Sequence, residues 1–138
     1  MIVIDGNGMV VGRVASQVAK KLLEGEEVHI INAEKMLMTG KLQGVAENYR
    51  IRRRLQNKGT PEHSPVWPKV PSMLVRRIVR GMLPWKSARG RAAFKRLRVY
   101  ISNPKNFDKF VNLDNAKPLN AVKMLSVSEL CKEIGYVE

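Results

Sequence analysis

The chain has 138 residues, 44% of them hydrophobic and only 6% aromatic, which suits one domain with a largely aliphatic core rather than a disordered tail. Its 25 Lys and Arg against 12 Asp and Glu leave a net charge of +13 and a pI near 10.3, the electrostatic footprint of a polyanion binder. No apolar run approaches the ~20 residues needed to span a bilayer. The start at Met1-Ile2-Val3-Ile4-Asp5 lacks the basic and long apolar regions of a signal peptide, and the single cysteine, Cys131, supports neither an internal disulfide nor a zinc cluster, so a reduced, cytosolic compartment is expected.

In chain order, Ile2-Val3-Ile4 is a short β-branched run that ends in the turn signal Asp5-Gly6-Asn7-Gly8. Val11, Val14, Ala15, Val18, Ala19, Leu22 and Leu23 then fall on one helical face, with Gly25 as terminator. Val28-His29-Ile30-Ile31-Asn32 reads as a strand buried on both sides, completing a β-α-β unit. Thr39 is expected to cap a helix with the stripe Leu42, Val45, Ala46 and Tyr49, which ends in Arg50, Arg52, Arg53 and Arg54. Residues 58–71 hold Pro61, Pro65, Pro68 and Pro71 and are expected to run extended over the surface.

A helix over 72–83 places Leu74, Val75, Ile78, Val79 and Met82 on one side and Arg76, Arg77 and Arg80 on the other. Lys86 to Lys95 is basic and predicted helical from Arg89. Leu97 to Ile101 is a third clear strand, and Ser126 with Glu129 forms a capping box for a last helix burying Val127, Leu130, Cys131 and Ile134. Residues 105–125 are polar and give no clear pattern. Strands alternating with helices indicate an α/β fold with a mostly parallel sheet, in one domain spanning 1–138 with a C-terminal helical segment at about 126–134.

The charge is segregated. Residues 1–40 carry a net of −1 and residues 99–138 a net of 0, whereas residues 41–98 hold sixteen basic residues and two acids, Glu47 and Glu62. A merely soluble surface mixes both signs along its length. Crowding of this kind is costly unless a polyanion compensates it, and arginine outnumbers lysine here, which suits bidentate phosphate contacts and stacking on bases. The candidate binding residues are Lys41, Arg50, Arg52, Arg53, Arg54, Lys58, Trp67, Arg76, Arg77, Arg80, Lys86, Arg89, Arg91, Lys95 and Arg96. Trp67 and Trp85 are each read two ways: stacking on an exposed base, or packing under a loop, which their proline neighbours favour.

Other motifs carry less. Gly6, Gly8 and Gly12 stand where a dinucleotide-binding glycine loop would, but their spacing is G-x-G-x-x-x-G and Asn32 ends the second strand where a ribose-binding acid would sit. A tight turn, with Gly12 packed closely on the sheet, is the favoured reading. Thr39-Gly40-Lys41 lacks the upstream glycine of a P-loop, although a helix start with a lysine can hold an RNA phosphate. His29, mid-strand, is expected in or near the core. It and His63 have no partner pattern for catalysis, and Asp5 at a strand end is a turn residue first.

Three stretches together carry a resemblance: Ile4-Asp5-Gly6 through Gly12-Arg13-Val14-Ala15-Ser16; Ile31-Asn32-Ala33-Glu34-Lys35 through Thr39-Gly40-Lys41; and Val79-Arg80-Gly81-Met82-Leu83-Pro84 with Gly90-Arg91 and Phe94-Lys95-Arg96-Leu97-Arg98-Val99-Tyr100. The sequence resembles the large-subunit ribosomal protein L-thirteen family, in its archaeal and eukaryotic branch, over at least residues 1–104. The resemblance implies a three-layer α/β/α sandwich with a four-stranded parallel sheet, the fourth strand coming from Met36-Leu37-Met38 or from a region after Pro104. It implies binding to large-subunit rRNA beside neighbouring ribosomal proteins, a role in subunit assembly and translation, and a cytoplasmic location in the large subunit. No enzymatic activity, cofactor, metal, membrane or small-molecule substrate is expected. The rival is a nucleotide-binding enzyme using Gly6, Gly8 and Gly12.

Overall fold

The computed structural model describes residues 1–111, 113–118 and 123–137. The elements run β1 (Ile2–Asp5), α1 (Val11–Glu24), β2 (Val28–Ile31), β3 (Leu37–Thr39), α2 (Leu42–Arg54), α3 (Pro71–Gly81), α4 (Ala88–Lys95), β4 (Leu97–Val99), β5 (Met124–Ser126) and α5 (Val127–Glu133). The main sheet has the order β1-β2-β4, all parallel, with β2 in the middle. The central position explains the unbroken apolar run: all four residues of β2 are buried.

Register assigns the two faces. Ile2 and Ile4 pair with Val28 and Ile30, which pair in turn with Leu97 and Val99, and this face joins the main core with the helices. Val3, His29, Ile31 and Arg98 occupy the other face. There Tyr100 stacks on the His29 ring at 5.8 Å and Phe107 meets it edge-on at 5.5 Å. The buried His29 of the sequence reading is therefore an aromatic-packed residue, 5% exposed. α1 contributes Val11, Val14, Ala15, Val18, Ala19 and Leu22 to the core and ends at Gly25, whose φ of 104° suits glycine.

The expected four-stranded parallel sheet is found as three strands plus a separate pair. Met36-Leu37-Met38 does contribute a strand, but β3 pairs antiparallel with β5 and meets the β1–α1 connection through a bridge between Val10 and Leu37. Two local features redirect it. Asn32 takes a left-handed φ of 53° and the 3-10 turn Ala33–Lys35 follows, turning the chain out of the sheet. The place beside β1 is also in use, since the Val111 amide donates to the Val3 carbonyl at 2.8 Å. Within the stretch 105–125, Asn112 and residues 119–122 lie outside the described residues; Asp114–Ala116 is a 3-10 turn.

Three helix expectations shift. Thr39 belongs to β3, and Lys41 occupies the N-cap of α2 without a side-chain cap, as a lysine has no acceptor to offer. On α3, Leu74, Val75 and Val79 are fully buried, whereas Ile78 is half-buried and Met82, just past the helix end, is 42% exposed. Gly12 does not pack closely on anything; a Cβ there would meet no atom within 4 Å. The capping box is present, with the Ser126 hydroxyl accepting from the Glu129 amide and the Glu129 carboxylate from the Ser126 amide.

Cys131 is fully buried on α5, and burial pushes its thiol up to about 12. The thiolate is the reactive form. A thiol reagent at pH 8 should therefore modify Cys131 only at the rate of unfolding or local opening; modification at the rate of a free cysteine would overturn this. With the folded value raised above the ordinary one, its contribution to stability is present below the unfolded-state value and lost as pH rises toward about 12.

Candidate nucleic-acid interface

The end of α2, the loop to α3, and the α3–α4 pair come together on one side of the molecule. The loop is exposed yet tied down. The Asn57 amide donates to the Ser64 hydroxyl at 3.0 Å, and the Asn57 side chain to the Thr60 hydroxyl at 2.9 Å. At the other end the Arg53 guanidinium donates to the Trp67 carbonyl. Pro65 and Pro68 fix φ along the way, and Pro71 opens α3 where its missing N–H costs nothing. The extended run expected over 58–71 is thus interrupted by one 3-10 turn, Pro61–His63.

Aromatic rings hold the arginines in place. Trp67 meets Tyr49 edge-on at 5.7 Å, and the guanidinium groups of Arg52 and Arg77 each lie 5.0 Å from its ring centre. Arg52 also lies 5.3 Å from the Tyr49 ring. Burial pushes the Tyr49 phenol up, and Arg52 partly offsets this. Arg80 sits 3.9 Å over Trp85, Arg76 5.0 Å over Phe94, and Trp85 and Phe94 meet edge-on at 5.3 Å. Each such cation–π contact is worth about 0.5–1 kcal/mol at an exposed site. Both tryptophans are partly buried and already in contact with protein, so the packing reading describes them in the free protein.

Charge is left uncompensated. Among the described residues, the only basic side chain of 41–98 within 4 Å of an acid is Arg50, paired with Glu133 at 2.6 Å and Glu47 at 3.6 Å. The Glu133 contact raises the Arg50 guanidinium above its ordinary value and ties α2 to α5.

The fifteen candidates therefore divide by what they touch. Lys41, Arg54, Lys58, Lys86 and Lys95 are exposed side chains, as is Arg91, which reaches the Lys86 carbonyl at 3.5 Å. Arg52, Arg76, Arg77, Arg80 and Trp67 form the aromatic cluster. Arg50 and Arg53 fasten α2 to its neighbours. Arg96 and Arg89 donate to the last carbonyls of α1, Leu22 at 2.7 Å and Leu23 at 3.3 Å. A cation there also complements the helix dipole. Arg96→Ala should accordingly lower stability by about 1–2 kcal/mol, measured by chemical denaturation, through the lost carbonyl cap; unchanged stability would mean water replaces it without cost.

The sequence reading missed the recesses between these arginines. One is lined by Val66, Pro68, Met73, Arg76, Arg77, Arg80 and Phe94. Two further recesses share Arg77 and Arg80 with it, one walled by Trp67, Leu83 and Trp85, the other by His63, Ser64 and Pro65. Val66 is 80% exposed and Met73 49%. The signal in the sequence was slight: an apolar residue flanked by Pro65 and Trp67, and a methionine off the stripe of its helix.

The glycine loop offers nothing comparable. From residue 6 to residue 10 its amides are committed: Gly6 to the Ile31 carbonyl, Asn7 to the Asp5 carboxylate, Gly8 to Lys35, Met9 to Gly6 and Val10 to Ala116. Asp5 also accepts from the Asn32 side chain at 2.8 Å. A Cβ at Gly6 would lie 2.7 Å from Met36 Cγ, so this glycine serves a close approach of protein to protein. A pyrophosphate needs free amides at that turn.

Comparison with known proteins identifies a family. Residues 1–106 match the family described as Ribosomal protein L13. The large ribosomal subunit protein uL13 of Methanocaldococcus jannaschii is 41% identical over 136 residues, covering 98% of this chain and 98% of that protein. That of Methanococcoides burtonii is 40% identical over 139 residues with the same coverage of both, and that of Methanopyrus kandleri 41% identical over 144 residues, covering 97% of this chain and 86% of that protein. These relatives are ribosomal proteins, not enzymes. With three quarters of its length in the family match and near-complete alignment to such relatives, the chain belongs to the ribosomal protein L13 family.

Proposed function

We propose that this protein is a structural constituent of the cytoplasmic large ribosomal subunit, binding large-subunit rRNA through the 41–98 segment and supporting subunit assembly and translation. One observation carries the reading. Arg76, Arg77 and Arg80 are held over aromatic rings and, among the described residues, have no acid within ion-pair distance. A positive face built this way is stabilised by a polyanion and strained without one. Arg52, Arg54, Lys41, Lys58, Lys86, Arg91 and Lys95 extend it to neighbouring phosphates. Arg50, Arg53, Arg89 and Arg96 anchor the scaffold and offer RNA their remaining N–H groups, since a guanidinium has five. The molecule acts as one domain over 1–138, its nearly neutral flanks meeting neighbouring ribosomal proteins. Phosphate contacts set position, and RNA shape supplies most of the specificity.

Titration against large-subunit rRNA fragments at several salt concentrations tests this. Log affinity should fall with log salt by about 0.7–0.9 per neutralised phosphate. Salt-insensitive binding, or saturable binding of a mononucleotide in its place, would overturn the reading in favour of the glycine-loop rival.

A further inference from the structure

We propose that the recess walled by Val66, Pro68, Met73 and Phe94 and rimmed by Arg76, Arg77 and Arg80 receives one unpaired base turned out of the RNA, an inference that rests on the rRNA-binding reading above.

A surface that only neutralised phosphates would need charge and nothing else. This one places bare apolar groups between its arginines. Val66 is 80% exposed and Met73 49%, and with Pro68 and Phe94 they form one continuous apolar lining between the arginines, which gains free energy when it is covered. The cover must be flat and apolar on its faces, to lie against Pro68, Met73 and the Phe94 ring. It must also be attached to negative charge, to satisfy three guanidinium groups without acidic partners among the described residues. A nucleobase on its sugar-phosphate backbone has both properties in one unit.

The arginines add two further points. Arg76 holds its guanidinium, with its N–H donors, 5.0 Å from the Phe94 ring centre at the rim of the recess. A base edge carries acceptors that can take such a donor. Arg77 and Arg80 line all three recesses, so the backbone on either side of the turned-out base passes over them. The site is also formed beforehand. The wall carrying Val66 is fixed by Pro65 and Pro68 and pinned through Ser64 and Trp67, so little ordering entropy is lost when a base enters. Paired A-form RNA presents stacked bases and a sugar edge, which leaves Val66 and Met73 uncovered.

The test uses the full chain bound to an archaeal large-subunit rRNA transcript, with hydroxyl-radical probing of the backbone and dimethyl sulfate and carbodiimide probing of base edges. The comparison variant is Val66→Ser with Met73→Ser, which leaves every arginine in place and alters two side chains that are already solvent-exposed. In the wild type, one base that is unpaired and reactive in free RNA should become protected. In the variant it should regain reactivity and affinity should fall roughly tenfold, as expected for loss of one stacked base. The slope of log affinity on log salt should stay unchanged. Protection confined to paired bases, or the same base pattern and affinity in both proteins, overturns the inference while leaving the phosphate reading intact. An acidic peptide as the true occupant would produce that second result. Absence of salt-dependent rRNA binding by the wild type overturns the phosphate reading and this inference with it.

Discussion

Gly90→Ala should destabilise the protein by about 3 kcal/mol or more, enough to remove a large part of a typical domain's stability. Helix propensity alone gives the opposite sign, since alanine inside a helix is favoured over glycine by roughly 0.5–1 kcal/mol. Geometry overrides it. A Cβ at position 90 would lie 2.1 Å from the Pro84 carbonyl oxygen and 2.5 Å from its carbon. Both are backbone atoms, so no rotamer change relieves the contact. Helix α4 would have to lift away from the Leu83–Trp85 turn. That turn holds the start of the helix: the Ser87 amide and hydroxyl both donate to the Pro84 carbonyl, and the Ser87 hydroxyl accepts from the Gly90 amide. Lifting α4 also separates Phe94 from Trp85, and with it the supports under Arg76 and Arg80. Equilibrium denaturation and an rRNA titration should therefore fail together. Gly81→Ala is the control. Nothing lies within 4 Å of a Cβ there, so its stability should hold or rise, by no more than about 0.5–1 kcal/mol. A Gly90→Ala protein as stable as the wild type would show that the α4 turn yields easily.

How far these features could be read in the sequence depended on whether the information was local. The β1-α1-β2 unit was legible because its periods are unmixed: a seven-residue helical face closed by Gly25, then an apolar run. α5 was legible from Ser126 and Glu129, a cap whose two halves are three residues apart. β3 and β5 were not. Each is three residues long, too short to show a period of two, and they pair across 84 intervening positions in the register Thr39 to Met124. Their pairing depends on the turn at Asn32, where a non-glycine residue takes a positive φ that no sequence pattern announces.

The site divides the same way. Its charge was visible by counting, because like charges in sequence stay near each other in space. What each arginine does was hidden. Arg96 and Arg80 look alike in a list, yet one caps a helix that ended seventy-odd residues earlier and the other lies on a tryptophan. Ion pairing was deceptive too. Arg50 stands among unpaired arginines in sequence but finds Glu133 in the last helix.

Replacing Arg76, Arg77 and Arg80 together with alanine should leave the protein folded and reduce rRNA affinity at least ~100-fold. The two effects come from different terms. In the folded protein the three guanidinium groups contribute cation–π contacts worth about 0.5–1 kcal/mol each, screened by solvent at half-exposed positions. Against this, the substitution removes mutual repulsion and the buried unpaired Nε of Arg76, so the net stability loss should stay near ~1–2 kcal/mol. Bound RNA depends on the same groups far more strongly. A hydrogen bond to a charged partner contributes about 1.5–3 kcal/mol, and three are lost at once. The salt slope should also drop by about 2–3, near 0.7–0.9 for each phosphate no longer neutralised. Loss of affinity with an unchanged slope would mean that the arginines do not face phosphates. An unfolded triple variant would mean that their stacking on Phe94, Trp67 and Trp85 is a structural network.

The triple lysine variant separates charge from shape. Lysine keeps the charge but not the planar fork or the stacking surface. If charge alone matters, its slope and affinity should match the wild type. If the guanidinium groups must lie flat on their rings to aim at RNA, the slope should persist while affinity falls. The 3.9 Å approach of Arg80 to Trp85 makes the second outcome the expected one.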